Sequence, residues 1–359
     1  MRIGIVTQPL EMNYGGILQN WALQQVLKRL GHDPITIDGY ERFTTPHFVF
    51  NYMRAKVLRA IGKQCKYPRR YHGATRSEIT GRFIEKHIIK THVMWDYKPS
   101  VVRRYRLDAI VVGSDQVWRY NFNRYRYEEM FLRFAAKTDL KKRVAYAVSF
   151  GKDIWGCPPE RTAECVALAQ KFDAISVREE GAIKLCQEHL GVHAVKVLDP
   201  TLLLDAEDYA EVIDKEWEAD EPYLAVYCLD ITPVKEAFFN QLAQEHGLKV
   251  RYFSFGWTAT LTVEQWLAMF SNAAMVVTDS FHGTIFSIIF KKDFYSLCNQ
   301  HRGTTRLTGM LEQLGLEQRL ISDTEPEEPA QHDIDWDDVY ARLDEQRKFS
   351  IDFFDRNLK

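Results

Sequence analysis

The first forty residues constrain the fold more than any other stretch. RIGIVT is a short β-branched run, and QPLEMNYGG is a loop dense in chain breakers. ILQNWALQQVLKRLGH then places Ile17, Leu18, Trp21, Ala22, Val26, Leu27 and Leu30 at helical spacing. Gly31 sits where a helix stops, and PITID reads as a second strand. A strand, glycine loop, helix and strand in that order specify a parallel sheet with a crossover helix.

The pattern recurs. DAIVVGSDQVW and RVAYAVSFG each read as a strand, and ECVALAQKFDAISVREEGAIKLCQEHLG reads as helix, strand, helix before AVKVLDPTLLL. From about residue 206 it starts again: PYLAVYCLD, a helix near 233–246, LKVRYFSFG, a helix near 262–272, MVVTD, and a helix from about 283. At 359 residues the chain exceeds what one core usually serves. The fold class expected is therefore α/β with two Rossmann-like domains in series, joined near Asp199-Pro200: one over 1–205, a second over 206–325. Residues 44–106 read as a basic helical insertion into the first. The acidic segment 326–359 contains DWDDVYARLDEQRKFSIDFFDRNL, an amphipathic helix expected to pack back on the first domain. Domains of this kind bind ligands beyond the C-terminal ends of their strands, so the loops that follow strands are the ones to inspect.

Composition narrows the class. An apolar content of 46% with 27% charged residues belongs to a soluble globular chain and excludes disorder. The net charge of −2 hides fifteen Lys/Arg against three Asp/Glu over 54–106, and twelve acids against five bases over 323–359. Either a solvated face or internal match accounts for this, or an anionic partner such as a membrane surface. Six cysteines without a C-x-x-C pair or a neighbouring histidine cluster support neither a zinc site nor a disulfide framework, and read as reduced core thiols. MRIGIVTQ lacks the apolar core of a signal peptide, and no run of about 18 apolar residues occurs. The expected localisation is cytoplasmic, with peripheral contact at the inner face of the membrane through the basic stretch.

Five loops carry the candidate chemistry. Asn13-Tyr14-Gly15-Gly16 lets backbone approach a ligand and offers helix-start amides to an anion, although it lacks a third glycine or a Walker lysine and serves equally as a tight turn. Gly113-Ser114-Asp115-Gln116, with Trp118 following, suits a sugar that hydrogen-bonds and stacks, or a turn capped by Asp. In Ser176-Val177-Arg178-Glu179 an arginine directly after a buried strand needs either a neighbouring carboxylate or an anionic substrate. In VVTDSFHGTIF, a strand ends at Thr278-Asp279-Ser280 and a helix is expected from Gly283-Thr284. His282 then stands at a positive helix end, where its charged form is disfavoured unless a carboxylate or bound anion offsets it; a purely structural histidine is the other reading. Finally, His301-Arg302-Gly303-Thr304-Thr305-Arg306 ahead of LTGMLEQLGL reads as a phosphate loop or a solvated turn.

In their order, IGIVTQPLEMNYGGILQNWALQQVLKRLGH, VVGSDQVW, ISVREE, VLDPTLLL, TDSFHGTIFSIIF and a late Arg before LTGMLEQLGL resemble the polysaccharide pyruvyl transferase family over roughly residues 1–320. The resemblance implies a fold similar to GT-B glycosyltransferases, with the first domain on the acceptor side and the second on the donor side. It implies phosphoenolpyruvate as co-substrate, no cofactor or metal, and transfer of pyruvate as a ketal onto two hydroxyls of a sugar. That sugar would belong to a capsule or exopolysaccharide, or to its lipid-linked oligosaccharide precursor. The family's catalytic histidine falls on His282 and its strand-following arginine on Arg178. Some members carry an Arg where this chain has Ser280, which shifts phosphate binding onto Arg302 or Arg306. On this reading protonated His282 gives its proton to the donor's methylene carbon and Arg178 and Arg306 neutralise carboxylate and phosphate. Asp115 or Asp279 deprotonates a hydroxyl or orients the histidine. Ser280, Gly283, Thr284, Asn13, Gly15, Gly16, Ser114, Gln116 and Trp118 complete the expected substrate contacts. Two other functions fit the same scaffold: a nucleotide-sugar glycosyltransferase, and a non-catalytic glycan-binding or assembly protein. A nucleic-acid partner is not expected.

Overall fold

A computed structural model of the protein describes residues 1–39, 45–63, 78–217, 219–254, 260–299, 305–329 and 333–359. Its first sheet holds β1 (Arg2–Val6), β2 (Asp33–Thr36), β3 (Ala109–Asp115), β4 (Lys142–Val148), β5 (Ala174–Val177) and β6 (Val195–Lys196) in the order β2-β1-β3-β4-β5-β6. The second holds β7 (Tyr223–Tyr227), β8 (Lys249–Tyr252), β9 (Met275–Thr278), β10 (Asp293–Cys298) and β11 (Leu320–Ser322) in the order β11-β10-β9-β7-β8. All pairings are parallel. Strands covered by helices on both faces must be apolar on both, and every residue of β3 is buried. Each sheet reverses strand order once, at β1/β3 and at β7/β9, and such a reversal opens a crevice at the C-terminal ends of the strands.

The helix Tyr14–Arg29 reads as amphipathic yet is buried around most of its girth, because it lies between the two domains. Tyr14 stacks on Trp266 and Trp21 packs against Tyr209, both beyond the first sheet. Two of its buried amides bond inward, Gln19 Nε2 donating to Thr7 Oγ1 at 2.9 Å and Gln24 Nε2 to Thr36 Oγ1 at 2.8 Å. One apolar cluster runs from Ile5 and Leu18 to Trp266 and Phe286, so the domains share a core. Gly31 ends the helix at φ +79°, as its place in the sequence predicts.

The last helix, Trp336–Asn357, is capped by Asp335, which accepts from the amides of Asp337 and Asp338. It returns to the first domain: Phe354 stacks on Tyr146 of β4 with ring centroids 4.1 Å apart, and Ser350 Oγ accepts from the Leu198 amide at 3.0 Å. Acids of this tail pair nearby, Asp338 with Arg342, Asp344 with Arg347 and Asp352 with Arg356.

The insertion contributes the helices Thr45–Ala60, Glu78–His87 and Ser100–Arg104. The five described cysteines are free, four of them buried, and Cys65 lies outside the described residues. Two expectations change. The helix after β9 begins at Phe281 rather than 283, because Ser280 Oγ accepts the Gly283 amide and makes Ser280 the cap. β10 and β11 extend the second sheet beyond the strands read from the sequence. Arg302, with the rest of 300–304, lies outside the described residues.

Candidate functional site

Ends of strands from both sheets converge on one buried ionic cluster. Arg178, the residue after β5, donates from Nη1 to Asp199 Oδ2 at 2.7 Å and from Nη2 to Asp115 Oδ1 at 3.3 Å. Asp199 lies just beyond β6 and caps the short turn Pro200–Leu203. Its carboxylate also accepts from Ser114 Oγ at 3.1 Å, the Thr201 amide at 3.1 Å and Thr201 Oγ1 at 2.7 Å. From the second domain, His282 brings Nε2 to 3.9 Å from Asp199 Oδ2. The imidazole approaches so closely to Gly15 that a Cβ there would lie 2.1 Å from Nδ1. That glycine is therefore required by the other domain's histidine.

Burial decides the protonation states. It lowers the His282 pKa below the ordinary 6.5, outweighing the attraction of Asp199 and Asp115, while Arg178 and Arg306 also oppose a proton. Burial alone would lower Arg178 and raise Asp199. Instead each shifts the other way, Arg178 upward on Asp199 and Asp115, and Asp199 downward on Arg178, His282 and the Thr201 bonds. The unliganded cluster thus holds a charged arginine between carboxylates beside a neutral imidazole. His282 Nε2 is buried and has no hydrogen-bond partner among the described residues.

Phe281 joins this cluster to a second cation. The Arg178 guanidinium carbon lies 4.5 Å from its ring centroid, that of Arg306 5.6 Å, and the His282 ring stands edge-on at 5.5 Å. Arg306 is half-buried, and burial, with repulsion from Arg178 and Arg119, pushes its pKa down to about 10. Two guanidiniums held against one ring, one of them electrostatically unfavourable, form a place that an anion would stabilise.

Several expected contacts lie elsewhere. Asp279 turns away from His282: its Oδ1 accepts the Leu229 amide at 2.6 Å, its Oδ2 the Asp230 amide and Asn299 Nδ2, each at 3.2 Å, and Lys235 Nζ stands 3.7 Å away. It closes the loop after β7, and the carboxylate that faces His282 Nε2 is that of Asp199, at 3.9 Å. Trp118 cannot stack on a sugar, because its indole is fully buried, donates to the Met130 carbonyl and lies flat on Phe131. Thr284 bonds Ser296 Oγ at 2.6 Å inside the second domain, Ser280 is occupied as a cap, and Gly283 packs on Thr278. Ser114 orients Asp199, and the Gln116 side chain receives Arg119 Nη1 at 2.6 Å. Gly16 is buried with its carbonyl on Gln19 Nε2, while Asn13 is exposed at the mouth of the same loop.

The cluster therefore brings together His282, Arg178, Arg306, Asp115, Ser114 and Gly15. The sequence reading did not single out Asp199, Phe281 or Arg119. The signal for Asp199 was its place after a strand, directly before Pro200, where it was read as a domain junction.

A family model described as polysaccharide pyruvyl transferase matches residues 13–301. No curated protein matches the chain. Among solved structures it is similar to a putative UDP-N-acetylglucosamine 2-epimerase from Listeria monocytogenes, at 9% identity over 98% of this chain and 90% of that one, TM-score 0.49. It is also similar to UDP-GlcNAc 2-epimerase from Neisseria meningitidis bound to UDP-GlcNAc, at 9% over 98% and 93%, TM-score 0.47. The glycosyltransferase SsfS6 from Streptomyces sp. SF2575 follows at 10% over 97% and 96%, TM-score 0.40.

Proposed function

The chain belongs to the polysaccharide pyruvyl transferase family, and from that premise we propose that it moves pyruvate from phosphoenolpyruvate onto two hydroxyls of a glycan sugar as a ketal. The observation that carries the reading is the buried Nε2 of His282, facing Asp199 at 3.9 Å beside two guanidiniums that share the Phe281 ring. Arg306 and Arg178, which share the Phe281 ring, receive the donor's phosphate and carboxylate. The donor's negative charge offsets the burial, and the repulsion from Arg178 and Arg306, that keep His282 neutral in the free protein, so donor binding protonates the imidazole where its proton is needed.

His282 gives that proton to the methylene carbon, which becomes a methyl group, and positive charge develops at the adjacent carbon. One sugar hydroxyl attacks there, the carbon–oxygen bond to phosphate breaks, and the second hydroxyl closes the ring. Two hydroxyl protons are released: one restores His282 and the other leaves with phosphate. Asp199 balances the imidazolium, and Asp115, already bonded to Arg178, takes the second of those protons from the hydroxyl and passes it to the departing phosphate. Arg178 fixes both carboxylates as well as contributing charge.

The test is incubation with phosphoenolpyruvate and a candidate glycan. Release of inorganic phosphate, with a glycan heavier by pyruvate less one water, is the expected result. Turnover that requires a sugar nucleotide and liberates a nucleotide would replace this reading with glycosyl transfer, and saturable glycan binding without turnover of either donor would replace it with a binding role.

A further inference from the structure

The helix Thr45–Ala60 carries an apolar face that is exposed among the described residues. Phe50 is 66% exposed, Met53 51%, Val57 58% and, just past the helix end, Ile61 62%; Val49 is also half exposed. At about 100° per residue these five fall within roughly 120° of the helix circumference. Exposed Arg54 borders that arc on one side and exposed Lys56 on the other, and exposed Lys63 follows just past the helix end. Ala55 and Leu58, on the opposite side, face the protein. Residues 45–63 include no acid. An apolar stripe bounded by cations on both flanks matches a surface that is hydrocarbon at depth and anionic at its rim. Among the described residues no helix is long and apolar enough to cross a membrane, which leaves in-plane seating as the geometry available to this one.

We propose that this helix lies in the plane of an anionic phospholipid surface, with Phe50, Met53, Val57 and Ile61 among the acyl chains and Arg54, Lys56 and Lys63 at the phosphates. The insertion is tied to the first sheet at the C-terminal end of β2, where Thr36 pairs with Lys90 and Gly39 with Met94. All strands being parallel, that is the end that carries Asp115 and Arg178, so lipid contact holds the ionic cluster near the bilayer. The proposal rests on the helix and not on the reaction assigned to the cluster.

Flotation of the full chain with vesicles of phosphatidylcholine, and of phosphatidylcholine mixed equally with phosphatidylglycerol, tests it. The wild type is expected to float with the mixed vesicles and at least about tenfold less with phosphatidylcholine alone. The double variants Phe50→Glu/Met53→Glu and Arg54→Glu/Lys56→Glu are each expected to lose at least about tenfold in partition to the mixed vesicles. Their melting temperatures should be unchanged, since all four side chains are exposed. Equal wild-type flotation with both vesicle types would overturn the proposal, as would wild-type partition of either variant. So would a Phe50→Glu/Met53→Glu variant that turns a dimer into a monomer in sedimentation while vesicle binding persists, because the face would then be an interface between copies.

Discussion

His282 is reached by a different cause at each of its atoms. Gly15 sets the position of Nδ1, Asp199 faces Nε2, and burial disfavours the proton. Replacing His282 by Gln should lower turnover by at least about two orders of magnitude while circular dichroism and the melting temperature stay close to wild type. A turnover within a few-fold of wild type would remove the residue from the chemistry. The shift also fixes a proton linkage. The free imidazole titrates below its ordinary 6.5, and on the proposed reading a bound anionic donor moves it upward, so between the free and bound values binding takes up a proton at His282. Donor affinity should therefore fall as pH rises through the complex's value. Calorimetry in buffers of different ionisation enthalpy should show proton uptake in the wild type that His282→Gln lacks, the difference cancelling the donor's own ionisation. Gly15→Ala tests position without touching chemistry: the helix gains a better former, about 0.5–1 kcal/mol by propensity, but the new methyl occupies the imidazole's place. Activity is expected to drop at least about tenfold in a protein that still folds.

At the scale of elements, periodicity exposed most of the architecture and little of its burial. β1, β3, β7 and β9 stood out because parallel strands are apolar on both faces, and Gly31 marked a helix end that has positive φ. β10 did not stand out, since DFYSLC begins with an acid and carries Ser296, whose hydroxyl bonds that of Thr284, a contact no local pattern announces. Trp118 failed in the opposite direction: an aromatic after a strand looks the same in sequence whether it faces a crevice or Phe131. Asp279 is three residues from His282 yet serves the loop after β7, whereas Asp199 is far away in sequence and faces its ring. Spacing along the chain is a poor guide where strand ends fan outward. The last helix shows what a correctly read element contributes. Phe354 is fully buried against Tyr146, so Phe354→Ala should cost about 3–5 kcal/mol, read as a lower denaturant midpoint at an unchanged slope. A loss below about 1 kcal/mol would mean that the helix adds little to the first domain.

At the scale of the whole molecule, the two sheets are joined both by hydrocarbon and by charge, and the two links have different consequences. Tyr14 stacks on Trp266 and donates to the Leu261 carbonyl at 2.5 Å, while the first-domain cluster and the second-domain histidine meet across the same seam. A shared apolar core couples the domains without a ligand, so heating should give one transition with equal calorimetric and van't Hoff enthalpies, and two resolved transitions would show that the seam is weak. The charged link is the one a ligand would alter, because burial and repulsion from Arg178 lower the Arg306 pKa beside the Phe281 ring that both guanidiniums share. Phosphoenolpyruvate should therefore stabilise the whole protein rather than one domain. At about a hundred times its dissociation constant the gain is about 2.7 kcal/mol, visible as a shift of the single transition to higher temperature. Arg306→Ala should abolish that shift at the same donor concentration, read against the variant's own unliganded transition. If the donor raised the melting temperature of this variant as much as that of the wild type, the anion would have to sit elsewhere in the cleft.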